Sequence, residues 1–110
     1  MKLKNIEVPM EHIKEFCDRW QIVEFALFGS VLRDDFRTDS DIDVMVQFDS
    51  EAHPTFFDLS VMEDELKTIF QRDVDLITRK GIESSRNYLR RKEILSSAQV
   101  IYGTRSPISS

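Results

Sequence analysis

From residue 42 to residue 48 apolar and polar side chains alternate: Ile42, Val44, Val46 and Phe48 interleave with Asp43, Met45 and Gln47. A period of two is the mark of a β-strand with one packed face. The chain must therefore supply a layer to cover that face. The same alternation begins with two carboxylates, in Asp41-Ile42-Asp43. Side chains two apart on a strand project the same way, so both acids leave the face opposite Ile42, close together. Two unpaired anions so placed repel, and protonation, solvent or a cation must relieve them.

The remaining segments can build that layer. Pro9 opens a helix whose inward stripe is Ile13, Phe16, Cys17 and Trp20, at i, i+3, i+4 and i+7. Val23 to Phe28 reads as a buried strand, ending in Gly29-Ser30 and a short helical turn through Arg33. Asp34 to Ser40 is a polar loop, and Asp49 to Pro54 a second. Thr55 caps the next helix, with Asp58 in a near capping-box position. Its stripe is Leu59, Met62, Leu66, Ile69 and Phe70. A third strand covers Asp73 to Thr78, with Val74 and Leu76 facing inward. A last helix is expected from Ser85 or Asn87 to Val100, burying Ile94, Leu95, Ala98 and Ile101. The layout is α/β, a small sheet covered by helices. Strands joined through helices favour parallel pairing, with a mixed sheet as the alternative. With 110 residues there is room for one domain, over 1–103, and a loose polar tail over 104–110.

Charge and cysteine usage narrow the classes. The 20 acidic against 15 basic side chains leave a net charge of -5, which disfavours a general nucleic-acid binder. Cys17 is the one cysteine and cannot form an internal disulfide. No secretory signal or membrane-length apolar run is apparent, so a cytoplasmic, membrane-free setting is the expectation.

Asp75, on the third strand, can extend from the same face as Asp41 and Asp43 if the two strands are neighbours. Three oxygen-bearing groups suit Mg²⁺ or Mn²⁺, and two such ions held together can serve both oxygens of a displacement at phosphorus. Asp39 and Asp73 share the alternation; Asp39 is assigned to the preceding loop and Asp73 to the start of its strand. Gly29-Ser30 follows an apolar strand and opens a helical turn, whose free N–H groups can take a phosphate. Glycine lets the ligand approach the backbone, the Ser30 hydroxyl can donate, and Arg33 lies one turn on.

Gly29-Ser30, ten intervening residues, then Asp41-Ile42-Asp43 resembles the signature of the DNA polymerase beta-like nucleotidyltransferases. The fuller strings Phe28-Gly29-Ser30-Val31-Leu32-Arg33 and Asp39-Ser40-Asp41-Ile42-Asp43-Val44 resemble the minimal nucleotidyltransferases. Val74-Asp75-Leu76 and the segment from Asn87-Tyr88-Leu89 to Ile101-Tyr102-Gly103 extend the likeness over most of residues 22–103. The resemblance implies that Asp41 and Asp43 ligate two metal ions and that Asp75 completes the nucleophile side. It implies that Gly29 and Ser30 hold the β- and γ-phosphates of ATP, with Arg33 assisting. Family members commonly carry glycine after that arginine, where this chain has Asp34-Asp35.

Such minimal proteins resemble the antitoxin of toxin–antitoxin pairs, in which a helical HEPN ribonuclease is the partner and receives AMP from ATP on a tyrosine. Two other functions fit the same residues. One is an antitoxin that only binds its toxin; the other is a small-molecule nucleotidyltransferase working with a helical subunit. The basic run Arg90-Arg91-Lys92 reads as a solvated helix face, with contact to an acidic partner or to nucleotide phosphates as the alternative. Glu63-Asp64-Glu65 is assigned to helix surface, and His12 and His53 are surface residues. Cys17 is assigned to the core, and Phe56, Phe57, Phe70 and Trp20 to core or partner contact.

Overall fold

The structure, a computed structural model, describes residues 2–3, 6–34, 37 and 40–103. The expected tail over 104–110, and the loop position given to Asp39, lie outside the described residues. Two short strands, β1 (Lys2–Leu3) and β2 (Ile6–Glu7), pair antiparallel at the start of the chain. Helix α1 (Met10–Trp20) follows, with Pro9 at its N-cap rather than inside its first turn. Gln21 closes it in the left-handed region, at φ 59°.

Four strands make the main sheet: β3 (Ile22–Phe28), β4 (Ile42–Phe48), β5 (Val74–Thr78) and β6 (Gln99–Gly103), in the order β5-β4-β3-β6. β4 and β5 are parallel, while β3 is antiparallel to both β4 and β6. The parallel step needs a long crossover, and α2 (Phe56–Phe70) provides it. Between β3 and β4 the only helical segment among the described residues is one 3-10 turn, Gly29–Leu32. That is too short to carry the chain across the sheet, so pairing there is antiparallel and the sheet is mixed.

The end of the chain departs from the expected long helix. A short helix α3 (Arg79–Glu83) comes first, its start capped by Thr78 Oγ1, which accepts from the Gly81 N–H at 3.0 Å. Helix α4 (Tyr88–Ser97) then stops, and Ala98 turns extended at φ -63°, ψ 138°. Residues Gln99 to Gly103 become the edge strand β6, with Val100 opposite Ala26 and Gln99 opposite Leu27. Ile101 packs with the main core, not with Ile94, Leu95 and Ala98. The β-branched and aromatic run Val100-Ile101-Tyr102 favours a strand, and β3 offers it an open edge.

Alternation along the strands divides the sheet into two unequal faces. On one, Phe25, Leu27, Ile42, Val44, Val46 and Val74 pack against Ile13, Phe16 and Cys17 of α1 and Met62 and Leu66 of α2. Phe16 meets Phe25 edge-on, with ring centroids 6.2 Å apart. On the other, Ala26, Phe28 and Met45 pack with Ile82 of α3 and Ile94 of α4, flanked by Ile77, Leu95 and Ala98. The acids left as helix surface tie elements together. Glu65 accepts from Trp20 Nε1 at 2.9 Å and pairs with Arg19, and Glu63 Oε2 accepts from the outward Leu76 N–H of β5 at 3.2 Å. Phe56 and Phe57 are 91% and 75% exposed, and so are not core. No helix among the described residues is long and apolar enough to cross a membrane.

Candidate active site

β4 and β5 run in register with Asp43 opposite Asp75. Registered neighbours in a sheet project to the same side, so both carboxylates stand on the thinly covered face. Ile42 and Val44, between and beyond the acids, are buried on the other face. The strand entry is fixed by backbone and arginine bonds: the Ile42 N–H donates to the Asp73 carbonyl at 2.9 Å. Arg72 Nη1 donates to the carbonyls of Arg37 and Ser40, each at 3.2 Å. Those bonds hold the residues before Asp41 against the turn before β5. Asp41 itself is exposed, one position ahead of β4. Asp73 is also exposed and precedes β5.

Gly29 abuts Asp43. Its φ is +77°, in the region where only glycine is unstrained, and a Cβ built there would overlap the Asp43 Oδ2 carboxylate oxygen. Glycine is required on both counts. Ser30 is half-buried on the turn, and its carbonyl accepts from the Arg33 N–H at 2.9 Å. Because the turn is a single 3-10 turn rather than the start of an α-helix, phosphate binding here rests on individual N–H groups and not on a helix macrodipole.

Gly29, Arg33, Asp43 and Asp75 line one open cleft of about 580 Å³. Asp41 and Ser30 lie outside that lining. The opposite wall is α4, which contributes Arg90, Glu93, Ile94 and Ser97. None of these four was assigned as a site residue, and Arg90, whose basic run reads by default as a solvated helix face, lines the cleft. Their spacing, i, i+3, i+4 and i+7, was the available signal: once Ile94 is seated in the core, Arg90 and Ser97 share its side. A second hollow of about 660 Å³, between Asp49, His53 and Arg79, holds none of the candidate residues.

The Asp43 carboxyl is held above its ordinary value by burial first, then by the charges of Asp75 and Asp41. Arg90 and Arg33 pull in the opposite direction. Asp43 thus lies in the field of both other carboxylates, a field that a divalent cation relieves. The donors are all oxygen, as Mg²⁺ and Mn²⁺ prefer. Among the described residues no group of three or more His, Cys, Asp or Glu side chains is placed to hold a metal ion; an ion at Asp43 and Asp75 would draw further ligands from phosphate and water, as is usual for Mg²⁺. Cys17 plays no part. Burial pushes its thiol up to about 12.

Comparison with known proteins defines the class. The nucleotidyltransferase domain family matches residues 9–101, and the chain belongs to that family of enzymes. It is similar to protein adenylyltransferase MntA of Thermococcus cleftensis, 31% identical over 85 residues that cover 76% of this chain and 84% of that protein. A Methanocaldococcus jannaschii protein provisionally named a protein adenylyltransferase is 37% identical over 78 residues, 71% of this chain and 78% of the other. Among solved structures, a toxin–antitoxin crystal structure with AMP-PNP superposes with a TM-score of 0.67 at 19% identity, covering 88% of this chain and 75% of that one. A Shewanella oneidensis complex of tri-AMPylated HEPN toxin with its MNT antitoxin gives 0.58 at 20% identity, over 86% and 69%. At those identities the two structures establish the fold, that of the minimal nucleotidyltransferases.

Proposed function

We propose that this chain is a protein adenylyltransferase of the antitoxin kind, which transfers AMP from ATP to a tyrosine of a HEPN-type ribonuclease partner and so neutralises it. One observation carries the reading: Asp43 and Asp75 face the same cleft in register, with Gly29 against Asp43. The relatives named as adenylyltransferases, and the toxin–antitoxin complexes that share the fold, support the acceptor class and the partner. The proposal covers one catalytic domain over 1–103 and a cytoplasmic setting, where ATP is available.

Asp41, Asp43 and Asp75 are the residues that would hold two Mg²⁺ or Mn²⁺ ions. Bound metal supplies positive charge against the phosphates and eases deprotonation of the acceptor hydroxyl. Gly29 leaves room for phosphate oxygens beside its backbone, and Ser30 and Arg33 add donors on the same turn. The acceptor oxygen bonds to the α-phosphorus as the bond to the α,β-bridging oxygen breaks. Pyrophosphate leaves with that electron pair, and the hydroxyl proton passes to solvent on the exposed Asp75 side.

One observation favours a second reading, an antitoxin that only caps its toxin: among the described residues no group of three acids is placed to hold a metal ion. Incubating chain, partner, ATP and Mg²⁺ and then weighing the partner separates the two. An AMP-sized mass increase is expected, lost in Asp41→Asn and in Asp43→Asn; a tight complex with no added mass would establish the capping reading instead.

A further inference from the structure

We infer that Arg90 binds the β- and γ-phosphates of the nucleotide, reaching into the cleft from α4 opposite the Gly29 turn. The inference rests on the nucleotidyl-transfer reading of this cleft. Its first support is charge. The ionisable residues lining the cleft are Asp43, Asp75 and Glu93 against Arg33 and Arg90. A triphosphate is strongly anionic, and among the described residues the cations that line the cleft are these two guanidiniums. Arg33 comes from the turn after β3; Arg90 is the second cation, and comes from the far wall.

Geometry is the second support. The field of Arg90 reaches the Asp43 carboxylate, yet among the described residues its guanidinium makes no hydrogen bond or ion pair. Its neighbour Arg91 is already engaged, donating to the Ser85 carbonyl at 2.7 Å and lying 5.4 Å over the Tyr88 ring. Arg90 and Asp43 line the same cleft, within electrostatic reach of one another but without a hydrogen bond or ion pair between them. A phosphate group fits that description as occupant, since guanidinium forks match its oxygens.

Placement along the sheet selects the leaving end of the nucleotide. In the order β5-β4-β3, Asp43 stands between Asp75 on one side and the Gly29 turn on the other. If the acceptor enters beside Asp75, the groups that flank Asp43 with Gly29 serve the departing pyrophosphate. Arg90 is also presented from a fixed base. The Asn87 Oδ1 cap accepts from its N–H at 3.1 Å, and Ile94, one turn on, is buried beneath the helix.

The test is calorimetric titration of the full chain with ATP, AMP and inorganic pyrophosphate, each in the presence of Mg²⁺. Loss of a charged hydrogen-bond donor predicts that Arg90→Ala weakens ATP and pyrophosphate binding roughly tenfold to a hundredfold. AMP binding is expected to stay within about threefold, and Arg90→Lys to recover part of the loss as a point charge. Arg90→Ala binding ATP as tightly as the wild type overturns the inference. So does an equal loss for AMP and ATP accompanied by a lowered melting temperature, which marks a structural role. A wild-type chain that binds no ATP removes the functional reading and this one together, whereas failure of Arg90 alone leaves the former standing.

Discussion

Asp43 is half-buried next to two like charges, and keeping it ionised weakens the folded chain. Its carboxyl is raised above the ordinary value of 3.8 by burial, Asp75 and Asp41. A raised folded value means that the associated stability is complete below that ordinary value and is lost as pH climbs through the raised one. At neutral pH the whole penalty is in force. Asp43→Asn should therefore melt higher than the wild type at pH 7, with the gap closing toward pH 4, while transfer disappears. Mg²⁺ should raise the wild-type melting temperature, by about 2.7 kcal/mol of stability at a hundredfold excess over its dissociation constant, and leave Asp43→Asn unmoved. Scanning calorimetry with and without metal checks both; an equal Mg²⁺ effect on the two proteins removes Asp43 from the metal site. Asp43 and Gly29 were legible in the sequence because strand alternation and the ten-residue spacing are local properties. Arg90 was legible only as the alternative to a solvated helix face, because which side of a helix meets a cleft depends on how its one buried residue, Ile94, is seated.

Helix α2 sets the relation between the two acid-bearing strands, since it is the crossover that lets β4 and β5 run parallel. Its start is held by a reciprocal pair: Thr55 Oγ1 accepts from the Asp58 N–H at 3.1 Å, and Asp58 Oδ2 accepts from the Thr55 N–H at 2.9 Å. Thr55→Ala should cost about 1 kcal/mol, read as a lower urea midpoint, and leave the transfer rate below the melting range unchanged because the cap lies at the far end of the strands from the carboxylates. The capping signature and the stripes of α1 and α2 were readable from spacing. β6 was not: Ile94, Ala98 and Ile101 satisfy helical spacing as well, and the vacant edge of β3, a tertiary fact, turns Gln99–Gly103 into a strand. The pairing direction of β3 was hidden for the same reason, as a 3-10 turn and a helix leave similar traces in sequence.

The molecule keeps most of its cohesion on one side of the sheet and its candidate chemistry on the other. The α1/α2 side holds the larger core, whereas α4 is seated by one buried side chain, Ile94, with Leu95 and Ala98 partly buried beside it, against Ala26, Phe28 and Met45. Leu66→Ala and Ile94→Ala should each cost about 2–5 kcal/mol, a large share of the total for a small domain. They should differ in what survives: Ile94→Ala weakens ATP binding by the folded protein because the Arg90 wall loses its seat, and Leu66→Ala does not. Denaturation paired with nucleotide titration measures both, and matching ATP affinities would show that α4 needs no such anchor.

The Glu63 carboxylate bears on what this molecule can assemble with. A border strand with bare amides is a template on which another chain can zip. By occupying the outward Leu76 amide, Glu63 takes one donor away from that template. A companion that adds a strand at the β5 margin must first displace that carboxylate, which favours docking by shape and side chain instead.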